Sequence, residues 1–383
     1  MDLSKIVSII VPIYKGKQYI CGLIEQAEAC ARLLEKGVSI ELVLVNDYPG
    51  DMLDTDVVSD WIDIKVLNTD INRGIHGARV KGLENCKGNY IVFLDQDDKI
   101  DSCYIKSQLE RIGESDAVVC RLIHNNRQFY TNTNLFENIL DYEKMLVKGN
   151  QIVSPGQVLI RRNAIPDVWI RNIMKQNGAD DWLLWLCMCA EDKKIVLNQE
   201  ILFEHVVDGQ NASWNSEVML RSEDELYEIL LKENVYDAEK LDLLKTRIKN
   251  KQLLHIRNLE TFRAMFMVYD RWMQLENHKE DISELLSKCG YRKIAIYGIG
   301  YIGKQLVSRL YKLKDINLYA IDQNAEYITL DLPVKRLEEF QEDVDLVIVT
   351  PLKGVEEIVR NLKCRGIEKV LTVGELLDML EQG

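Results

Sequence analysis

The sequence has no run of about 18 apolar residues, the length a membrane-spanning helix needs, so no span is expected. It has no CxxC pair. Its nine cysteines are scattered, and Cys187 and Cys189 lie in an apolar run where buried thiols are expected rather than a metal site. It has no excess of positive charge: 48 Lys+Arg face 61 Asp+Glu, a net charge of −13. Phosphate binding by Lys and Arg supplies most nucleic-acid affinity, so nucleic acid is excluded as a general partner. An anionic ligand must instead be held locally, by a metal, a few cations or backbone amides. The opening MDLSKIVSIIVPIY lacks a small-residue cleavage site and is broken by Pro12, which reads as a first strand and not a signal peptide. Short internal repeats and low-complexity tracts are missing too. These absences predict a reduced, cytoplasmic protein.

What is present is alternation. The 383 residues suggest two or three domains. VSIIVPIY (7–14), ELVLVND (41–47), IDIKVLN (62–68), NYIVFLD (89–95) and DAVVCRLI (116–123) read as strands. Residues 18–36, closed by Gly37, and 76–86 carry apolar residues at helical spacing. That order predicts an α/β fold with a mostly parallel sheet covered on both faces. Residues 124–178 are less regular. GADDWLLWLCMCAEDKK (178–194) reads as a helix opened by acids and closed by lysines, and 194–207 as a strand. From 216 to 288 proline is missing and Leu, Glu and Lys dominate, which predicts a helical connector. Its basic residues Lys245, Arg247, Lys249, Lys251, Arg257 and Arg263 read as a solvated helix face or, more sharply, as a patch for an anionic membrane surface or lipid-linked acceptor. A second, smaller α/β unit begins near 289. The predicted division is 1–215, 216–288 and 289–383.

The chemistry concentrates in NYIVFLDQDDKID (89–101). In open parallel sheets ligands bind beyond the carboxyl ends of strands, and Asp95 stands at such an end, with Asp97 and Asp98 expected to project into the crevice. Clustered carboxylates repel one another unless a divalent cation lies between them, and oxygen ligands favour Mg²⁺ or Mn²⁺ completed by substrate phosphate and water. An EF-hand loop counted from Asp95 would need a ligand at Lys99 and glycine at Ile100, so that reading fails. The plain alternative is a polar turn whose acids cap the helix beginning near Asp101.

Four separated blocks, VSIIVPIYKGKQYICGLIEQ, ELVLVNDYPGD, NRGIHGARVKGLENCKGNYIVFLDQDD and GADDWLLW, resemble the family 2 glycosyltransferases of GT-A fold over roughly residues 5–215. The resemblance implies that Pro12 and Tyr14 close the first strand at the donor and that Asp47 reads the nucleotide base. Tyr48 and Pro49 replace the usual Gly-Ser there. It implies donor contacts from Arg79, whose usual Asn neighbour is Val80 here. It also implies donor contacts from Asp95 and Gln96 of the DxD motif, with Asp97 on the metal of the diphosphate. Asp181 matches the general base. Asp180 reads better as a helix cap. A helix N-terminus lowers a carboxylate pKa, whereas Asp180 and Trp182 would raise that of Asp181, and the sequence leaves the balance open. His205, ahead of a small polar loop, matches a second metal ligand. His76 and His124 read as structural, and Arg161 and Arg162 as a solvated pair.

Near the C-terminus Gly298-Ile299-Gly300-Tyr301-Ile302-Gly303 follows a strand and opens a helix, and Asp322 ends the next strand. That is the context of a dinucleotide fingerprint, so Gly298, Gly300, Gly303 and Asp322 are a candidate second nucleotide site, with glycines kept for packing or self-association as the alternative.

The expected activity is an inverting, Mn²⁺- or Mg²⁺-dependent transfer from a nucleotide-diphospho-sugar to a glycan, lipid-linked or protein acceptor in surface-polysaccharide or cell-wall synthesis. Peripheral contact with the inner face of a membrane and homo-oligomerisation are compatible with it. A nucleotidyltransferase is the alternative with the same metal, but it wants a glycine-rich basic loop after the first strand, and VPIYKGKQYI has one glycine. An NAD-type oxidoreductase centred on the C-terminal unit lacks evident hydride-transfer residues. A non-catalytic binding protein would not need both Asp97 and Asp181.

Overall fold

Strand β1 (Lys5–Ile13) carries seven consecutive buried residues, so both faces of the sheet it enters are covered. The computed structural model describes residues 5–124, 127–128, 139, 141–206, 215–277, 281–313 and 315–382, in two compact units, Met1–Leu253 and Leu254–Gly383. In the first unit β2 (Val38–Asn46), β3 (Asp63–Asn68), β4 (Tyr90–Phe93), β5 (Lys99–Ile100), β6 (Ala117–His124), β7 (Arg127–Gln128), β8 (Val158–Arg161) and β9 (Ile195–His205) join β1 in one sheet. Its order is β3-β2-β1-β4-β8-β6-β9-β5, with β7 beside β6.

Strands β3, β2, β1 and β4 are parallel. Beyond β4 the expectation of a mostly parallel sheet gives way to a mixed one. Strand β8 runs antiparallel to both β4 and β6, and β5 antiparallel to β9. An antiparallel neighbour needs no crossover helix whereas a parallel one does, so β8 can lie between β4 and β6 without one.

Side chains alternate between faces along each strand. Ile10, Val43, Val45, Ile91 and Phe93 face one core, with helix α2 (Gly74–Asn85) over it. Val7, Ile9, Val11, Leu42, Leu44 and Val92 face the other, with helix α1 (Ile20–Ala31). The helix expected over 18–36 is thus shorter: after Ala31 it tightens to i→i+3 bonds at Leu33 and Leu34. Helices α3 (Tyr104–Ile112), α4 (Tyr142–Lys148), α5 (Asp167–Arg171) and α6 (Asp180–Ala190) complete this part.

The stretch 216–288, read as a connector, serves both units. Helix α7 (Ser216–Lys232) and the start of α8 (Ala238–Asn277) put Leu226, Leu230, Leu241, Leu244 and Ile248 into the first core. Further along α8, Trp272 joins the second core with Ile282 and Leu286 of α9 (Ile282–Lys288). Lys245, Lys249, Arg257 and Arg263 are exposed, as the solvated-face reading expects, while Arg247 and Lys251 also pair with buried Glu223, at 2.9 and 2.6 Å, Lys251 with 40% of its side chain still in solvent. Lys245 lies over the Tyr227 ring.

The second unit is a five-stranded parallel sheet. Its strands are β10 (Lys293–Tyr297), β11 (Asn317–Ile321), β12 (Val334–Lys335), β13 (Leu346–Val349) and β14 (Val370–Thr372), in the order β12-β11-β10-β13-β14. Its helices are α10 (Tyr301–Leu310), α11 (Val355–Cys364) and α12 (Val373–Gln382). Among the described residues no helix is long and apolar enough to cross a membrane. All nine cysteines are free thiols.

Helix α2 matters most for the site, because it carries Arg79. It lies so close to the sheet that a Cβ on Gly82 would stand 2.3 Å from Ile10 Cγ2 and 3.1 Å from Val45 Cγ2. A methyl group there must lift the helix. Gly82→Ala is therefore expected to cost about 1–3 kcal/mol, read as a fall in urea midpoint at unchanged slope; an unchanged midpoint would mean that α2 does not depend on this close approach.

Candidate functional site

Because β1, β2 and β4 are parallel, they end on the same edge of the sheet. The residues that follow them, Tyr14, Asp47 and Asp95, come together there. Pro12, Tyr14, Asp47, Arg79, Asp95, Gln96, Asp97, Asp181 and His205 all line one cleft of about 450 Å³. Asn72, Asn177 and Met219 are on its wall as well.

The acidic cluster divides its labour. Asp95 and Asp97 lie on the cleft wall, but Asp98 does not project into it as expected. Asp98 is 1% exposed. It accepts from Ser154 Oγ at 3.0 Å and from the Val206 amide at 3.1 Å, and its Oδ1 lies 2.8 Å from His205 Nδ1. Its bonds to Ser154, Val206 and His205 hold it inward, behind the cleft wall. Asp101 is no helix cap: it accepts from the Cys103 amide at 2.8 Å in the turn ahead of α3, whose N-terminus has no side-chain cap.

Burial raises the Asp98 pKa against the pull of its His205 hydrogen bond. Burial lowers that of His205, but the Asp98 contact and the charges of Asp95 and Asp97 outweigh it and leave it raised. An imidazole whose Nδ1 is held by a carboxylate presents Nε2 to a ligand, the usual arrangement behind a metal-binding histidine. Among the described residues no three His, Cys, Asp or Glu are grouped to hold a metal unaided. Asp97 and His205 do suit a cation that takes its remaining ligands from a diphosphate and water. The polar loop expected after His205 (207–213) lies outside the described residues.

Arg79 is the centre of the site. It is 3% exposed. Its Nη1 donates to Asp180 Oδ2 at 2.6 Å and its Nη2 to Asp95 Oδ1 at 2.5 Å. Burial works against its charge, but the Asp180 and Asp95 carboxylates prevail and hold it as a guanidinium. Asp180 is thus not a helix cap: helix α6 has no side-chain cap, and Asp180 is 2% exposed beneath it. Its partner lies 101 residues away in sequence, beyond any local signal.

Asp181, the next residue, differs. It lines the cleft, accepts from Asn150 Nδ2 at 2.7 Å and takes the Trp182 amide on its other oxygen at 2.7 Å. Burial, then the charge of Asp180, push its pKa up to about 7 against Arg79 and the two donors. That answers the balance left open above. Asn150 was missed because it stands in an irregular segment with no motif around it.

On the other side of the cleft Asp47 Oδ1 accepts from the Arg73 amide at 2.7 Å. Burial raises its pKa against that bond. Tyr14 and Tyr48 meet edge to face at 5.4 Å, with Lys15 over both rings. Gln96 uses its amide on the backbone of Tyr14: Tyr14 N donates to Oε1 at 3.0 Å. It therefore ties the end of β4 to the end of β1. His76 is structural, accepting from the Met174 amide and packed on Trp169. Arg161 and Arg162 are not solvated. They bond the carbonyls of Ser115 and Gly113, and of Cys86 and Leu83.

In the second unit Gly298 has φ +91°, and a Cβ on Gly303 would stand 2.0 Å from the Gly298 carbonyl oxygen. Asp322 spends its carboxylate on this turn: the Ile299 amide donates to Oδ2 at 2.6 Å and the Asn324 amide to Oδ1 at 2.8 Å.

The profile of Glycosyl transferase family 2 matches residues 8–169, the span that carries β1, β2, β4, Arg79 and the Asp95–Asp97 turn. The first unit contains a family 2 glycosyltransferase domain. Over 372 residues the chain is 23% identical to glycosyltransferase GlyA of Streptococcus pneumoniae, covering 88% of this chain and 51% of that protein. It thus spans about half the length of that relative. It is 29% identical over 211 residues to an uncharacterized glycosyltransferase of Haemophilus influenzae, covering 52% and 76%. The crystal structure of S. aureus TarS 1-349 in complex with UDP-GlcNAc aligns at 20% identity and TM-score 0.48, covering 64% of this chain and 71% of that one. The family 2 domain is followed here by the five-stranded parallel sheet.

Removing the cation from a buried pair strands its carboxylates. Arg79→Met is expected to cost about 3–5 kcal/mol, measured by urea denaturation at pH 7. Asp95→Asn should cost less than Asp180→Asn, since Asp95 keeps 26% of its side chain in solvent and Asp180 3%. The reverse order would place the clamp's energy on the wrong side.

Proposed function

We propose that the first unit transfers a sugar, with inversion, from a nucleotide-diphospho-sugar to an acceptor hydroxyl in a metal-dependent reaction. The observation that carries this reading is a single cleft holding both kinds of carboxylate such a reaction needs. Asp97 is a half-buried acid on the cleft wall beyond β4, and Asp181 is an acid with its pKa pushed up to about 7. The family 2 domain supports the reaction class.

Asp47 and the Tyr14–Tyr48 pair form the nucleotide end. Asp95, fixed by Arg79, is placed for the ribose. Asp97 and His205 would hold Mn²⁺ or Mg²⁺, and the bound cation neutralises the diphosphate so that it leaves without a proton. At the other end Asp181 accepts the proton of the attacking hydroxyl. The acceptor oxygen bonds the anomeric carbon as the bond to the diphosphate oxygen breaks on the opposite face, which inverts the centre. Asn150 and the Trp182 amide fix the direction in which the Asp181 carboxylate points. A base with a pKa near working pH is well matched to this task. On the family resemblance alone, the acceptor is assigned to a surface polysaccharide or cell-wall glycan.

Asp181→Asn should bind donor as the parent does, by calorimetry with nucleotide sugars, yet transfer about 10²–10⁴-fold more slowly. Normal turnover in that variant would remove Asp181 as base. The sign of the pH dependence follows from its raised pKa: Asp181 is protonated and idle below about pH 7, so the single-turnover rate should rise about tenfold per unit towards pH 7 and then level. A rate flat from pH 5 to 8 would contradict the assignment. Asp97→Ala, or EDTA, should abolish transfer and weaken donor binding.

A further inference from the structure

Helix α8 is apolar on two opposite faces beyond residue 254. On one face Met265, Val268, Tyr269, Trp272 and Leu275 pack into the core of the second unit. On the other, Ile256 (51% exposed), Leu259 (54%), Phe262 (59%), Phe266 (66%), Met267 (58%) and Met273 (64%) stand in solvent. A surface helix ordinarily has one apolar stripe and a polar back, and a helix apolar on both sides is one that is covered on both. Single exposed hydrophobics are common, but a continuous patch of this size marks an interface.

We propose that this exposed stripe is the surface through which two copies of the chain associate, as antiparallel helices related by a two-fold axis. Three features favour a second copy. Leu259, Phe266 and Met273 recur every seven residues, the spacing that keeps a seam facing a partner helix. The six side chains expose on the order of 600 Å² of apolar surface per copy, so a pair would bury about 1,200 Å², the lower bound of a specific interface. The third feature is charge. Arg263 and Asp270 sit within the stripe, one heptad apart. In an antiparallel pair crossing at Phe266 and Met267, each Arg263 meets the partner's Asp270, twice over by symmetry. In a parallel pair like would face like. Against a lipid surface Arg263 and Asp270 would enter the apolar boundary without a counter-charge, Asp270 held only by the Gln274 amide at 2.9 Å, which disfavours a membrane as occupant.

The test uses the full chain in sedimentation equilibrium between 1 and 100 μM. A monomer–dimer equilibrium in the micromolar range is expected. Phe266→Glu should weaken it at least tenfold while leaving far-UV circular dichroism and basal donor hydrolysis unchanged, because the residue is exposed and outside the cleft. Arg263→Glu and Asp270→Arg should each weaken association, and the double variant should restore it, which loss of fold cannot do. A monomer at 100 μM, or single variants that the double variant fails to rescue, overturns the proposal. So does a monomeric chain that cosediments with phosphatidylglycerol vesicles through Phe266.

Discussion

Arg79 carries a charge that water barely reaches, and the position of the whole cleft follows from how that charge is met. Its two carboxylates come from different places: Asp95 from the end of β4 and Asp180 from the start of α6. A guanidinium is suited to this because its fork can bond two acceptors in fixed directions, which the point charge of a lysine cannot. The donor side of the cleft and the base side are therefore registered to one another by a single side chain. Glycine at position 82, one turn along the same helix, lets that side chain approach the sheet at all. The residual strain of the arrangement is visible in Arg79 Nε, which is buried without a hydrogen-bond partner.

The same charge explains why two adjacent aspartates have opposite characters. Asp180 bonds Arg79 directly. Asp181 stands next to Asp180, feels its charge, and receives neutral donors from Asn150 and the Trp182 amide. Adjacent acids whose environments diverge are a general route to separate structural and proton-transfer roles. The helix dipole alone would have lowered the pKa of Asp181. Burial and a like charge win here because the first turn of α6 is inside the protein, where solvent no longer damps the Asp180–Asp181 repulsion.

Much of this was legible in the sequence and the rest was not, for definite reasons. Parallel strands buried on both faces announce themselves as apolar runs, so the strands that deliver Tyr14, Asp47 and Asp95 could be located, and parallel topology then brings their ends together. The family resemblance added Arg79, Asp181 and His205. What stayed hidden depends on contacts between distant segments. Asp98 looked like one more acid of a cluster, and its inward turn towards Ser154 and His205 is decided by residues 56 and 107 positions away. Asp180 looked like a cap because its true partner is on α2. Strand β8 is four residues long, too short for periodicity to separate it from a buried loop, and with β5 and β7 it makes the sheet mixed. The basic face of α8 was legible as solvated, but the pairing of Arg247 and Lys251 with Glu223 was not, because that partner lies on another helix.

The glycine motif of the second unit illustrates the limit of a local pattern from the other side. The spacing is that of a nucleotide-binding turn, and the strand–turn–helix context is correct. Yet three of the four elements of the pattern have an internal use: Gly298 supplies a left-handed backbone, Gly303 admits the Gly298 carbonyl, and Asp322 accepts the Ile299 amide. In a dinucleotide site the acid after the second strand would be spared for a ribose hydroxyl. Here each of its oxygens already accepts an amide of the turns, so the acid has a structural use whether or not a ribose is bound. Gly298, Gly303 and Asp322 thus close the turn between β10 and α10 with no ligand, whereas a Cβ at Gly300 would meet nothing within 4 Å. A motif whose parts serve the turn itself weighs less than the cleft of the first unit, where acids from separate segments, Asp47, Asp95, Asp97 and Asp181, converge on one space.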